Sequence, residues 1–367
     1  MCNCSAPSNK TRGPCSWSAC STARTINACA CCGRKTALDN PRDDDPKKRH
    51  ETDDMKTTIL HAMAIGLLLV GGGYAHADSP YRDIVAGDAS KTLDETWALA
   101  ADGSITVANI SGKVQVTGWG QAQVKLEGNL GAGSTLAVSG DAKKLSLQVK
   151  TTKSGWFGSN APSHDSILIV HVPKSAALDL SVVSADADVD GMDGKTLKVG
   201  SVSGDVTIAG SAPQIDVDSV SGNVTLAAPA GSSGRAHVQT VSGDISAKNL
   251  GGRIKLETVS GNMDCACGAI SELESGSVSG DADIAVAPAN DAHLHLSTMS
   301  GGVTLHLPAT LSARIDASSF SGDIHSDFGT VQTKEYGPGS SLKATLGAGS
   351  AQIGIESMSG DIQLRKQ

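Results

Sequence analysis

Between residue 200 and the C-terminus, apolar residues recur as pairs two positions apart, and two such pairs flank a short polar phrase in each unit. Around Val220 the pairs are Ile215 and Val217, then Val224 and Leu226; around Val259, Ile254 and Leu256, then Met263 and Cys265; around Met299, Leu294 and Leu296, then Val303 and Leu305. Alternation at period two gives each pair one face of a short strand. The phrase between them reads "SVSGDV" at Ser201–Val206, and its Ser returns at Ser203, Ser221, Ser242, Ser260, Ser279, Ser300, Ser321 and Ser359. The intervals are 18, 21, 18, 19, 21, 21 and 38 residues. A period near 20 indicates a repeat architecture in which each unit buries its apolar face against its neighbours.

The phrase has turn chemistry. Gly accepts positive φ without a Cβ clash, while Ser, Asp and Asn bond back to nearby backbone groups. A structural turn ladder is therefore expected at Ser203, Gly204 and Asp205, then Ser221, Gly222 and Asn223, Ser242, Gly243 and Asp244, Ser260, Gly261 and Asn262, and Ser279, Gly280 and Asp281. The apolar residue before each Ser (Val202 in the first copy) is expected to face inward with Val206. The residue before that is Ser or Thr in all eight copies.

The pattern predicts an all-β chain. From residue 180 to 367 it reads as a single-stranded, right-handed parallel β-solenoid, or β-helix, of about 19–21 residues per coil. Coils about 4.8 Å apart would align Val, Ile, Leu and Met in inward ladders, each buried side chain contributing roughly 1.5–3 kcal/mol. The residue after the corner Gly runs Asp205, Asn223, Asp244, Asn262, Asp281, Gly302, Asp323. Alternation of charged and neutral residues separates carboxylates that stacking would otherwise bring together. Asp361 follows at double spacing, so the stretch before it reads as a degenerate coil or an excursion. Residues 78–179 alternate less regularly and read as a β-rich N-terminal cap with the first coils; "ISGKV", at Ser111 and Gly112, looks like an early corner.

The N-terminal end reads differently. Lys56, the apolar run Ile59–Val70 and Ala75-His76-Ala77 compose a secretory signal peptide over 55–77, too short for a membrane span, with cleavage expected after Ala77. Residues 1–54, which hold seven of the nine cysteines, read as a disordered upstream extension with translation starting at Met55. From Asp78 on, 20 Lys and Arg face 31 Asp and Glu. That acidity argues against nucleic acid or anionic lipid as main partner. The exported chain has no second long apolar run, which places it in the periplasm or at the cell surface of a bacterium.

"NISGKVQVTGWG", then "ILIVHVPKSAALDLSVVSADADV", then tandem "[ST]VSG[DN]V" resembles the bacterial envelope family named putative adhesins, over roughly residues 100–367. The resemblance implies an exported β-helical domain of unknown function with no established catalytic activity.

Candidate chemistry is sparse. Eight repeated serines outside a strand-turn-helix setting do not make a nucleophile, and glycines with no following Lys or helix do not make a phosphate loop. The Asp/Asn column could hold calcium, although turn bonding accounts for the same residues, so no cofactor is expected. Cys265 occupies an inward position with Cys267 two residues on, near the extended-strand limit for a bridge unless Cys267 has entered the turn; two buried thiols are the expectation. His293, His295 and His306 are weak metal candidates, expected on one outer face. Trp156 and Phe157, in "KSGWFGSNAPSHD", form the candidate ligand loop. The reading is a non-catalytic adhesin-like binding or scaffold surface for an envelope glycan or protein. The alternatives are a β-helical carbohydrate-active enzyme (a lyase or hydrolase) and a purely structural stalk.

Overall fold

The computed structural model describes residues 83–151, 164–333 and 339–367. Among these residues all regular structure is β: 24 strands joined in one hydrogen-bonded network, with no helix. The chain is a β-solenoid whose coils each contribute two arms, one on either side of the repeated corner. The first arms stack in parallel from the start of Ser104–Trp119 through Ala177–Met192, Leu197–Ser203, Gln214–Ser221, Gly234–Ser242 and Gly252–Ser260. The second arms stack likewise and share one register. Val114, Ala187, Val206, Val224, Ile245, Met263, Ala282, Val303, Ile362 and Ile324 form a single inward column.

Period two also sets the inward residues of the first arm, and it corrects one expectation. Ile215, Val217 and Ser219 are buried, at 5%, 1% and 4% exposure, because they share one parity along the strand. Val220 has the opposite parity and stands on the outer side, half-buried. The same holds for Val202, so the inward residue at each corner is the Ser or Thr before it. Ser201, Thr240, Thr258, Ser277, Thr298, Ser319 and Ser357 are all buried. The offsets of five and three residues from Val220 back to Ile215 and Val217 are odd, which already places Val220 on the other face.

The C-terminal end departs from chain order. Strand Ala351–Ser359 pairs on one side with the second half of Ala282–Ser300, aligning Leu294 with Ile353 and Ser300 with Ser359. On its other side it pairs with Ala313–Ser319, aligning Ile315 with Ile353. Ile362–Lys366 lies in the same way between Val303–Leu307 and Ile324–Ser326. The last coil is therefore inserted between two earlier ones, and the stretch before it is an excursion. Within that excursion Ser340–Leu346 runs antiparallel along Ala313–Ser319 and ends the parallel ladder.

Antiparallel strands close the other end too. Gln123–Leu130 packs against Ser166–Pro173, with Lys91–Ala98 outside it, and Ser134–Gly140 pairs with Lys144–Thr151. Capping strands of this kind keep the ladder edges from templating further strands.

The cysteines are bridged, contrary to the expected pair of thiols. Cys265 and Cys267 form a disulfide with a Cα–Cα distance of 5.3 Å. Their strand is not fully extended there: the register slips between Ala266 and Ala269, and the Gly268 amide turns to the Leu250 carbonyl. The bulge shortens the i to i+2 distance into bridging range.

Candidate functional site

The corner is built from three columns side by side, each with its own cause. Innermost is glycine. Gly204, Gly222, Gly243, Gly261, Gly280 and Gly301 have φ between +126° and +158°. Each also lies against the corner of the coil before it. A Cβ on Gly222 would stand 2.2 Å from the Gly204 carbonyl oxygen, and one on Gly280 2.0 Å from that of Gly261. The repeat needs Gly because two backbones touch there, as well as for the turn. The same contact follows the threading: a Cβ on Gly360 would meet Gly301, and one on Gly322 would meet Gly360.

Next to glycine stands the Asp/Asn column. The side chains do not close their own turns as expected; they bond across coils. Asp205 Oδ1 accepts from the Asn223 amide at 2.8 Å, Asn223 Oδ1 from Asp244 at 3.1 Å, Asp244 Oδ1 from Asn262 at 2.7 Å, and Asn262 Oδ1 from Asp281 at 3.0 Å. Asp281 accepts from Gly302, and Asp361 from Asp323. Each side chain thus satisfies a backbone donor that the turn leaves outside the sheet ladders. Asp and Asn serve equally, since the accepting oxygen is common to both.

The third column is apolar and faces outward: Ile110, Val183, Val202, Val220, Val241, Val259, Val278, Met299, Met358 and Phe320, in stacking order. The aliphatic members up to Val278 are half-buried between their neighbours. The last three are exposed: Met299 at 47%, Met358 at 58% and Phe320 at 60%. A second outward column runs beside them across four strands, Ser297, Glu356, Ser318 and Ser341. Between the two columns lies an open groove of about 410 Å³, with serine hydroxyls and the Glu356 carboxylate on its floor and Met358 and Phe320 along one wall. Beyond the floor lie His295, Gly354 and Asp316, the last paired with Lys343 at 3.1 Å.

Charged residues farther up this face neutralise one another. Lys255 reaches Glu257 and Glu274, both at 3.2 Å, and His237 lies 3.5 Å from Glu257. Burial pushes the Glu257 carboxyl upward, but His237 and Lys255 outweigh it and hold the group below the ordinary glutamate value. Among the described residues, no group of three or more His, Cys, Asp or Glu could hold a metal ion.

The sequence-predicted residues are distributed as follows. The Ser–Gly–Asp/Asn corners are brought together in the stack, Ser221 aligning with Ser203 and Ser242, and Ser260 with Ser279. His293 and His295 lie on the first arm, while His306 lies beyond the corner on the second, where it contacts Asp283 at 3.2 Å. The three imidazoles do not share one face as expected. Trp156 and Phe157 lie outside the described residues. The groove is absent from the sequence expectations; its signal is the change from Val to Met299, Phe320 and Met358 at one position of the repeat.

The Toastrack DUF4097 family profile matches residues 103–365. Among curated proteins, none matches. Solved structures with a similar course include a putative cell adhesion protein from Clostridium sporogenes, 14% identical, covering 76% of this chain and all of that one at a TM-score of 0.24. Another is a putative adhesin from Bacteroides fragilis, 10% identical, covering 74% of this chain and 96% of that one at 0.33. A third is a putative lipid binding protein from Parabacteroides distasonis, 12% identical, covering 77% of this chain and 99% of that one at 0.24.

Proposed function

From the premise that this chain belongs to the Toastrack DUF4097 family, we propose that it is an exported, non-catalytic binding module of the cell envelope. Its contact surface is the outer corner edge of the solenoid. The observation that carries this reading is the outward apolar column, which ends in three large exposed side chains, Met299, Met358 and Phe320. A stalk needs only inward ladders, and a soluble surface normally scatters its exposed apolar residues singly. A column of them at one repeat position, widening at the end where the groove opens, is the arrangement of a surface that another molecule covers. Support for export comes from the signal-peptide pattern of residues 55–77; among the described residues no helix is long and apolar enough to cross a membrane.

The test compares the protein with a Met299→Ser, Phe320→Ser, Met358→Ser variant in capture of envelope components on a surface sensor. All three side chains are exposed, so thermal unfolding should change little. At least a tenfold drop in captured mass is expected. Equal capture by both proteins overturns the reading.

A further inference from the structure

We infer that the groove beside Phe320 and Met358 is a glycan site that takes a chain of pyranose sugars bearing no acidic group. This deepens the proposed binding function and rests on it. The groove combines what a pyranose requires. An exposed aromatic ring and a thioether offer an apolar wall for the C–H face of a sugar ring. Across from them Ser297, Ser318 and Ser341 present hydroxyls that donate and accept, and Glu356 presents a carboxylate that accepts from sugar hydroxyls or an amino group. The floor is formed by four adjacent strands, so it extends about 14 Å along the stack at three spacings of about 4.8 Å. Each spacing is close to the length of one pyranose residue, so successive sugars would meet successive coils.

Charge complementarity selects the class of glycan. Among the described residues, Glu356 is the one charged side chain lining the groove, and no Lys or Arg lines it. The whole chain carries a net charge of −8. Uronate or phosphate groups would therefore enter against like charge with no cation among the described lining residues to pair them, whereas an amino sugar would find Glu356. The groove is open to solvent and floored by hydroxyls, which suits a hydrated chain better than an acyl tail.

The experiment measures the full protein, by isothermal titration, against pentamers of N-acetylglucosamine, glucosamine and α-1,4-linked glucose, with oligogalacturonate as the acidic probe and phosphatidylglycerol vesicles as the lipid probe. Binding of at least one non-acidic pentamer is expected, weakened tenfold or more by Phe320→Ala combined with Met358→Ala and unchanged by Thr207→Ala, an exposed position on the second arm away from the column. Binding that survives the double variant overturns the site. Binding confined to oligogalacturonate or to vesicles, or to none of the probes, overturns the glycan class. In either case the envelope-capture comparison stands separately: if the triple Ser variant still loses capture there, the contact surface holds and only the glycan assignment falls.

Discussion

Replacing Gly222 by Ala puts a methyl group where two coils meet. At φ of +126° an L-residue is strained, at about 1–3 kcal/mol. The new Cβ would also stand 2.2 Å from the Gly204 carbonyl oxygen, which forces the backbones apart, an overpacking cost of about 1–3 kcal/mol. Ala restricts the unfolded chain and returns about 0.4–1 kcal/mol. The net expectation is a loss of about 1–5.5 kcal/mol. Two other glycines separate the contributions. Gly231 has φ of +82° but nothing within 4 Å of an added Cβ, so strain of about 1–2 kcal/mol less the same return should leave a loss of only about 0–1.5 kcal/mol for Gly231→Ala. Gly200 has open space and no positive φ, so Gly200→Ala should be neutral or gain up to about 1 kcal/mol. Urea unfolding of the three variants, with amide exchange at Asp205 and Asn223 to locate the damage, is the assay. If Gly222→Ala loses no more than Gly231→Ala, the stack is not held at backbone contact and the argument for the glycine column fails.

Other variants address the neighbouring features. Asp244→Asn should leave stability nearly unchanged because the accepting oxygen remains, while Asp244→Ala should cost about 1–2 kcal/mol and speed exchange of the Asn262 amide; equal effects of the two changes would sink the cross-coil bond. Glu257 is held below its ordinary value of 4.5, so its contribution is present above that pH and is lost as pH falls through the lower folded value. The stability gap between the protein and Glu257→Gln should therefore be full at pH 7 and shrink as pH falls below 4.5, and a gap independent of pH would contradict this. Denatured, unreduced protein should show no free thiol between Asp78 and Gln367, and reduction of Cys265–Cys267 should cost about 1–2 kcal/mol because the closed loop is so short.

Much of the fold was legible because its signals are local and repeated. Pairs such as Ile215 and Val217 fix strand and face, and "SGD" or "SGN" marks each corner, so the parallel stack followed from period alone. Val220 shows where apolarity alone misleads: its odd offset from Val217 sets it on the outer face although its side chain is apolar. The bonding of Asp205 to Asn223 was hidden for another reason: a turn residue can bond within its own turn or to the next coil, and composition does not choose between them. The insertion of Ala351–Ser359 was illegible in principle. Its Ser and Gly fit the column equally well beside Ser300 or beyond Ser321, and only the antiparallel strand Ser340–Leu346, already occupying the far edge of Ala313–Ser319, excludes the second place. The groove depends on that insertion, since it aligns Met358 between Met299 and Phe320.

The same insertion sets how this protein can change in length. From the coil of Val206 to that of Ala282 each coil pairs with the coils before and after it in the chain, so duplicating or deleting a whole unit there leaves every remaining interface of the same kind. Beyond it that freedom ends, because among the described residues the strands of Ile315 and Ile324 pair toward the body of the stack only with Ala351–Ser359 and Ile362–Lys366. An extra unit in that stretch would have nowhere to dock. Relatives with different numbers of coils are therefore expected to vary in the middle and to keep the last three coils as one inherited block. During synthesis, too, that block cannot close until the strand ending at Lys366 has left the ribosome.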